Sequence, residues 1–223
     1  MANYKKIKQL APLTLRPLLA IIAVAVIISA AFKKDEPIKP GARNHVGATL
    51  KDDRKKADAQ RTKESKQAFL KAYTVFMNPR CMNCHPDGNQ PLQGDDSHVH
   101  LQNVTRGPEG KGVFAMKCKN CHQDTNLEGY GFPPGNGHWQ MPPANRPMVF
   151  QGKSARELAI HFKNNKFTGF KTLNDMIKHV DEEGLVISSF NPPAGVTKIP
   201  MSHEEFVATV KEWIDKGAAV PDK

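Results

Sequence analysis

Hydrophobic positions divide the chain into an early apolar run, a long polar stretch and a domain with interrupted apolar patterning. Residues 17–32 are apolar and uncharged, whereas residues 51–66 are almost wholly polar and rich in helix-forming residue types. An apolar stripe at helical spacing follows them. The stripe consists of Phe69, Leu70, Tyr73 and Phe76. The pattern predicts one helix whose last turns pack on the following domain and which ends at Pro79.

Capping residues followed by apolar positions predict three further helices in the second half of the chain. The predicted N-terminal caps are Ser154, Thr172 and Ser202. The first helix should cover about residues 154–165, and the last should end near Gly217, a residue type common at that position. Glycine and proline predict loops elsewhere. These loops cover residues 86–113, 127–152 and 188–200. The pattern indicates a mainly α, loop-rich domain over residues 67–223.

Residues 1–32 have the charge pattern of an export segment. Four basic residues and no acidic residue precede the apolar run, which is followed by small residues suited to cleavage after Ala31. The run falls slightly short of the roughly 20 residues that span a bilayer. We predict an anchor that holds residues 10–32 in the cytoplasmic membrane, with a cleaved signal peptide as the alternative. Either would place the remainder outside the bacterial cytoplasm, at the membrane's outer face or in the periplasm.

The positive charge of the chain is confined to its first third. Residues 1–71 hold 16 Lys and Arg against six Asp and Glu, which accounts for the net charge of +10. The remaining residues hold 16 of each sign and are neutral. Residues 33–66 are therefore predicted to form a charged linker or helical arm. The sequence contains no basic patch with interleaved aromatic residues, so it does not predict nucleic-acid binding.

All four cysteines lie in two C-x-x-C-H pentapeptides. The motifs are Cys81-Met82-Asn83-Cys84-His85 and Cys118-Lys119-Asn120-Cys121-His122. Two thiols one helical turn apart can reach both vinyl groups of one porphyrin, and the histidine that follows can ligate its iron. The sequence therefore predicts two covalently bound haem c groups, with His85 and His122 as the proximal ligands. Covalent haem attachment in bacteria takes place outside the cytoplasmic membrane, which agrees with export.

Other uses of paired cysteines explain less of this pattern. A zinc ribbon separates its pairs by about 15–20 residues, whereas 33 residues lie between Cys84 and Cys118. Zinc sites, disulfides and thioredoxin-like redox pairs also leave the histidine after each pair unexplained. The two motifs begin only 37 residues apart, while a separate domain around each haem would need about 80–100 residues. Both haems are therefore predicted to share one compact core.

An electron-transfer haem needs a second axial ligand, and histidines near the first motif are candidates for the first iron. His98 and His100 follow His85 by 13 and 15 residues. Proximity along the chain assigns His100, or else His98, to the first iron. His179, on a predicted helix, is an alternative distal ligand for the first iron.

Candidates for the second iron lie in the proline-rich loop after the second motif. His138 follows His122 by 16 residues, which resembles the offset in the first unit, and Met141 and Met148 lie in the same loop. A methionine ligand raises the reduction potential relative to a second histidine. Proximity along the chain assigns Met148, or else Met141, to the second iron, so the two potentials should differ. His138 is the candidate if both irons have two histidine ligands.

Residues 75–221 resemble a family of small di-haem c-type cytochromes. The resemblance is carried by RCMNCHPDGNQPLQGD (80–95), NVTRGPEGKGVFAMKCKNCHQ (103–123), HWQMPP (138–143) and PMVFQGKS (147–154). Members are often described as subunits associated with isoquinoline 1-oxidoreductase, a molybdenum hydroxylase. The resemblance implies a cytochrome c-like fold and a role as electron acceptor for such an enzyme. It also favours Met148 over Met141, because Met148 matches the family's PMVF-G pattern.

These observations predict an electron carrier between redox partner proteins, a dehydrogenase and a terminal acceptor, without a substrate of its own. The predicted fold is mainly α and cytochrome c-like, with two haems in one loop-rich core and an N-terminal membrane or signal helix. A small peroxidase-like enzyme with one open haem is an alternative, although the chain is shorter than known di-haem peroxidases. A haem-based sensor is the other alternative.

Overall fold

The computed structural model describes residues 40–223, with side chains from Thr49 onward, and this part of the chain is mainly helical, as predicted. The helices are α1 Pro40–Phe76, α2 Pro79–Met82, α3 Ala155–Phe162, α4 Asn165–Thr168, α5 Leu173–Glu182, α6 Gly184–Ser189 and α7 His203–Asp215. Residues 48–223 form one compact unit. The apolar run of the predicted export segment lies outside the described residues. Within residues 40–223, no helix is both long enough and apolar enough to cross a membrane.

Helix α1 is an exposed polar rod that becomes part of the core only in its last turns. Every side chain from Thr49 to Lys63 is exposed, and burial begins at Ser65. The predicted stripe is partly wrong, because Leu70 is 45 % exposed while the small residues Ala68 and Ala72 are buried. The helix also begins at Pro40, inside the predicted linker. Proline is tolerated there because the N–H groups of a first helical turn have no intrahelical partner.

Aromatic residues from α1, α3 and α7 form the centre of the core. The rings of Phe69 and Trp213 lie 4.7 Å apart between centroids, and those of Phe76 and Phe162 lie 4.8 Å apart. Ser65 joins the same helices, since its hydroxyl donates to the Trp213 carbonyl at 2.8 Å and is completely buried. The last turns of α1 are thus fixed against α7 by both packing and hydrogen bonding.

All three predicted N-terminal caps are confirmed. Ser154 and Thr172 form capping boxes with Glu157 and Asp175, and the Ser202 side chain accepts from a backbone N–H of the first turn of α7. Helix α3 ends at Phe162, a few residues before its predicted end, because Asn164 caps the separate short helix α4.

Pro79 begins a helix rather than ending one, and this corrects the predicted boundary. Helix α1 ends at Phe76, and the Asn78 side chain accepts from the backbone N–H of Arg80 at 3.0 Å, which caps α2. Proline suits this first helical position for the same reason as in α1. As a result, Cys81 lies within α2 and Cys84 lies one residue beyond its C-cap.

Two small hairpins lie in a region that was predicted to be largely loop. Strands β1 Leu92–Gln93 and β2 His98–Val99 form one antiparallel pair. Strands β3 Gly112–Val113 and β4 Met116–Lys117 form the other. Two-residue strands are too short to give a hydrophobic alternation, so the sequence pattern does not reveal them. The hairpins lead directly into His100 and into Cys118.

Candidate functional site

The first C-x-x-C-H motif lies against the main core. The Cys81 side chain packs on the core cluster, and helix α2, which carries Cys81, contacts the short helix α6. Burial raises the pKa of the Cys81 thiol to about 12 and that of the Cys84 thiol to about 11. Both cysteines are therefore neutral free thiols near pH 7, and neither forms a disulfide.

The imidazole of His85 is held by a carbonyl and an aromatic ring. Its Nδ1 lies 2.8 Å from the Met148 carbonyl oxygen, and its ring stacks on Phe150 with centroids 3.9 Å apart and planes within 1°. Because a carbonyl oxygen can only accept, Nδ1 carries the proton and the lone pair is on Nε2. Burial lowers the pKa of His85 to about 4. A neutral imidazole in this tautomer presents Nε2 as a metal ligand.

The second motif repeats this arrangement with different residues. The Nδ1 of His122 lies 2.7 Å from the Pro134 carbonyl oxygen, and its ring stacks on Trp139 with centroids 4.0 Å apart and planes within 9°. Burial also lowers the pKa of His122. Metal-ligating histidines characteristically donate their second ring nitrogen to a carbonyl or carboxylate, which fixes both the tautomer and the ring orientation. Both histidines of the two motifs satisfy that requirement.

The two motifs are neighbours in space. After burial, the charge of Cys118 is the next largest influence that raises the pKa of Cys84. Gly110 lies at the second motif, since its carbonyl oxygen is 3.9 Å from the Cys118 sulfur and also accepts from the Met141 N–H at 2.8 Å. This proximity is what two cofactors in one core would require.

His100 lies beside His122, whereas proximity along the chain predicted it at the first motif. Their ring centroids are 6.5 Å apart and their planes are inclined by 59°. Two imidazoles on opposite sides of one metal ion, with metal–nitrogen bonds of about 2 Å, have centroids roughly 6 Å apart. The Nδ1 of His100 is buried and has no hydrogen-bond partner within residues 49–223. The separation of the His100 and His122 centroids is close to that value.

His179 is the imidazole whose charge acts on the first motif. It is half-buried on α5, with its ring centroid 5.3 Å from that of Phe170. Its charge contributes to lowering the pKa of His85, after the larger effect of burial. Burial also lowers the pKa of His179 itself. The alternative distal ligand for the first iron thus lies on that side of the molecule.

Met148 lies at the first motif, whereas the sequence argument assigned it to the second iron. Its carbonyl accepts from Nδ1 of His85, so its backbone lies on the side of the ring away from Nε2. Its φ of 46° is in the left-handed region, and its side chain packs against the core. The role that the structure gives Met148 is to orient His85 through its backbone. Met141 is buried, and its backbone lies near the second motif through Gly110.

The remaining two candidate histidines are at the surface. His98 is exposed and its Nδ1 lies 2.6 Å from a carboxylate oxygen of Asp96, whose pKa is lowered mainly by that hydrogen bond. His138 is exposed in the loop before Trp139. Within residues 49–223, the rings of these two histidines do not contact His85 or His122, whereas the ring of His100 lies beside His122.

Sequence reasoning missed the residues that position the two imidazoles. Phe150 and Trp139 stack on rings that are 65 and 17 residues earlier in the chain. Both occur in stretches already singled out, PMVFQGKS and HWQMPP, but spacing alone gives them no partner. A buried arginine between the motifs, Arg106, was also missed.

Exposed apolar side chains are concentrated in the segments that flank the second motif. They are Val99, Leu101, Val113, Phe114, Met116, Leu127, Tyr130 and Phe132. Phe114, four residues before Cys118, is 95 % exposed. Large contiguous apolar patches on a protein surface mark sites where a ligand or partner binds.

Comparisons with protein-family models, with curated proteins and with solved structures gave no match to this chain. Among residues 49–223, no group of three or more His, Cys, Asp or Glu side chains could hold a metal ion by itself. A haem iron takes four of its ligands from the porphyrin and at most two from the protein. A haem site therefore does not need a cluster of three protein ligands, and single histidines such as His85 and His122 are sufficient.

Proposed function

We propose that this chain is an exported di-haem c-type cytochrome that carries electrons between redox proteins. One observation carries the proposal. Each histidine of the two C-x-x-C-H motifs donates Nδ1–H to a backbone carbonyl and lies flat on an aromatic ring. A surface histidine has no need of such double positioning, whereas an iron ligand that must keep its geometry through oxidation and reduction does.

The residues of both motifs fit covalent haem. Cys81 with Cys84, and Cys118 with Cys121, are free thiols that can form the thioether bonds, while His85 and His122 offer Nε2 to the iron. Haem supplies the one-electron chemistry when bound. The chain supplies fixed imidazoles and an apolar environment. The exposed apolar residues beside the second motif fit this account, because a porphyrin attached at Cys118 and Cys121 would cover such a surface.

For the distal ligands we infer histidine at both irons. His100 would ligate the second iron, since its ring lies 6.5 Å from that of His122 and has a buried, unpartnered nitrogen. His179, which is half-buried on α5 and within electrostatic range of His85, would ligate the first. With the same ligand type at both irons, any difference in potential would come from burial and nearby charge rather than from a thioether.

Export and partner choice belong to the same proposal. Residues 10–32 would anchor the protein in the cytoplasmic membrane, with the haem domain at its outer face. The partners would be a dehydrogenase and a terminal acceptor, and the resemblance described above suggests a molybdenum hydroxylase as the electron donor. The membrane location would keep the carrier close to both proteins.

Replacing either distal histidine is expected to leave one iron without its distal ligand, while the haem stays covalently attached. The ferric spectrum of the unaltered protein should show two six-coordinate low-spin haems that do not bind carbon monoxide when reduced. His100→Ala should leave one high-spin haem per chain that binds carbon monoxide, and His179→Ala should open the other. In each variant, half of the haem should become high-spin and bind carbon monoxide when reduced.

Two controls make this test specific. His98→Ala removes an exposed imidazole two residues from His100 and should leave both haems low-spin. Met148→Ala keeps the backbone carbonyl that accepts from His85, and it should not change the ligand type of either iron. A thioether–iron absorption band that disappears in Met148→Ala would overturn the bis-histidine assignment. A high-spin haem in the unaltered protein would favour the peroxidase-like alternative.

A further inference from the structure

Arg106 is a buried cation that links the loops following the two motifs. It is 1 % exposed. One Nη donates to the Pro142 carbonyl at 2.7 Å and the other to the Gly88 carbonyl at 2.8 Å. Gly88 lies shortly after the first motif, and Pro142 lies in the loop that carries Met141. The side chain therefore occupies the region between the two sites.

The charge of Arg106 has no anionic partner among residues 49–223. The ion pairs found there do not include it, and its Nε–H is buried without any hydrogen-bond acceptor. A guanidinium has five N–H donors and stays charged at any physiological pH. Two backbone carbonyls supply only partial charges. A buried charge is normally paired, because desolvation without a counter-ion is costly.

Arg106 also lies within electrostatic reach of the first motif. After burial, its charge is among the influences on both Cys84 and His85, favouring the thiolate of the former and the neutral form of the latter. The Cys84 sulfur is not the missing anion, because a thioether formed from Cys84 would carry no charge. Residues 49–223 therefore provide no anion for Arg106.

We propose that Arg106 binds a propionate carboxylate of the haem attached at Cys81 and Cys84. This proposal rests on the proposed function and identifies how the cofactor's own charge is held. The guanidinium fork suits a carboxylate because parallel N–H donors can meet both oxygens. Nε–H and the unused Nη–H groups remain for that purpose. Arg106 would thus be a positioning residue that holds the first haem and connects the two loops.

The positive charge of Arg106 should affect the reduction potential of the first haem. A fixed cation near the iron disfavours the more positive ferric state, so it raises the reduction potential. In the holoprotein, Arg106→Gln should lower the potential of the first haem more than that of the second. Arg106→Lys keeps the charge but loses the fork, so it should largely preserve both potentials.

The direct test is infrared spectroscopy of the propionates. Protein is produced with 5-aminolevulinate labelled with ¹³C at its carboxyl carbon, which places the label in the haem propionates. Redox-difference spectra then report the labelled carboxylate bands. Arg106→Gln and Arg106→Lys should both shift one labelled band. Arg80→Gln is the matched control, because Arg80 lies near the same cysteines but is already paired with Asp95 at 2.8 Å. It should leave the labelled bands unchanged.

The outcomes separate this inference from the proposed function. A labelled band that shifts in both Arg106 variants but not in Arg80→Gln supports the assignment. Unchanged bands in a folded Arg106 variant with both haems attached overturn it, and so does an equal shift in Arg80→Gln. If Arg106→Gln does not fold, Arg106→Lys serves for the same comparison. Absence of haem from the unaltered protein would overturn the proposed function instead.

Discussion

A double variant with Cys118→Ala and Cys121→Ala is expected to mature with one covalent haem instead of two. The thioether bonds of the second motif are removed, while the first motif keeps Cys81 and Cys84 against the main core. The backbone around Cys118 forms a short turn outside the helical core, so the remaining domain should fold. Haem iron per polypeptide should therefore fall by half, measured by intact mass together with the haem absorbance after alkaline pyridine treatment.

The reciprocal variant is the matched control for this experiment. Cys81→Ala with Cys84→Ala should also lose one haem, but it should lower stability more, because Cys81 packs on the core cluster and Cys118 does not belong to it. Two haems in either double variant would show that the cysteines are not the attachment points. Loss of both haems from the Cys118 and Cys121 variant would show that the sites do not mature independently.

Replacing Trp213 with alanine is expected to lower the free energy of unfolding by about 3–5 kcal/mol, the range for removing a large buried aromatic residue. The Trp213 side chain is completely buried, its ring lies 4.7 Å from that of Phe69, and its Nε1–H donates to the Ala219 carbonyl at 3.0 Å. The substitution creates a cavity between α1 and α7 and leaves that carbonyl without its donor. Chemical denaturation followed by far-ultraviolet circular dichroism would measure the loss.

Lys211→Ala is the matched control, because it introduces alanine on the surface of the same helix without removing a core side chain. Lys211 is exposed and pairs only with Asp215 one turn away, so its removal should change the free energy of unfolding by less than about 0.5 kcal/mol. A loss below about 1 kcal/mol for Trp213→Ala would contradict the core described here.

Helix starts were predictable from the sequence because the interactions that fix them are local. Ser154, Thr172 and Ser202 each bond a backbone N–H three residues ahead, so a short window contains all the information. The end of α1 was less predictable. Pro79 stops a helix in one context and begins one in another, and the Asn78 cap decides between them.

Burial along α1 shows a second limit of pattern reasoning. Leu70 fits an apolar stripe, yet it is exposed, while the alanines Ala68 and Ala72 on either side of it are buried with Phe69. Small residues permit close approach of two helices, and hydrophobicity alone gives them little weight. The packing partner decides which face of the helix is buried, and it is more than 130 residues away in the sequence.

The candidate site was predictable only as far as its local motifs. The proximal histidines follow from the pentapeptides, whereas their carbonyl partners lie 63 and 12 residues further along the chain. The sequence assigned His100 to the first motif, whereas the hairpin that precedes His100 brings its ring beside His122. Long-range contacts of this kind leave no periodic trace in a sequence.

The central claim is that the chain carries two covalent haems, and the most direct test is the intact mass of the unaltered protein. The protein would be matured in a bacterium that attaches haem outside the cytoplasm, then analysed whole and as proteolytic peptides. The measured mass should exceed that of the mature polypeptide by two haems, with one haem on the peptide containing Cys81 and Cys84 and one on the peptide containing Cys118 and Cys121. A mass equal to that of the polypeptide alone, or one haem bound only to the first of these peptides, would contradict the claim.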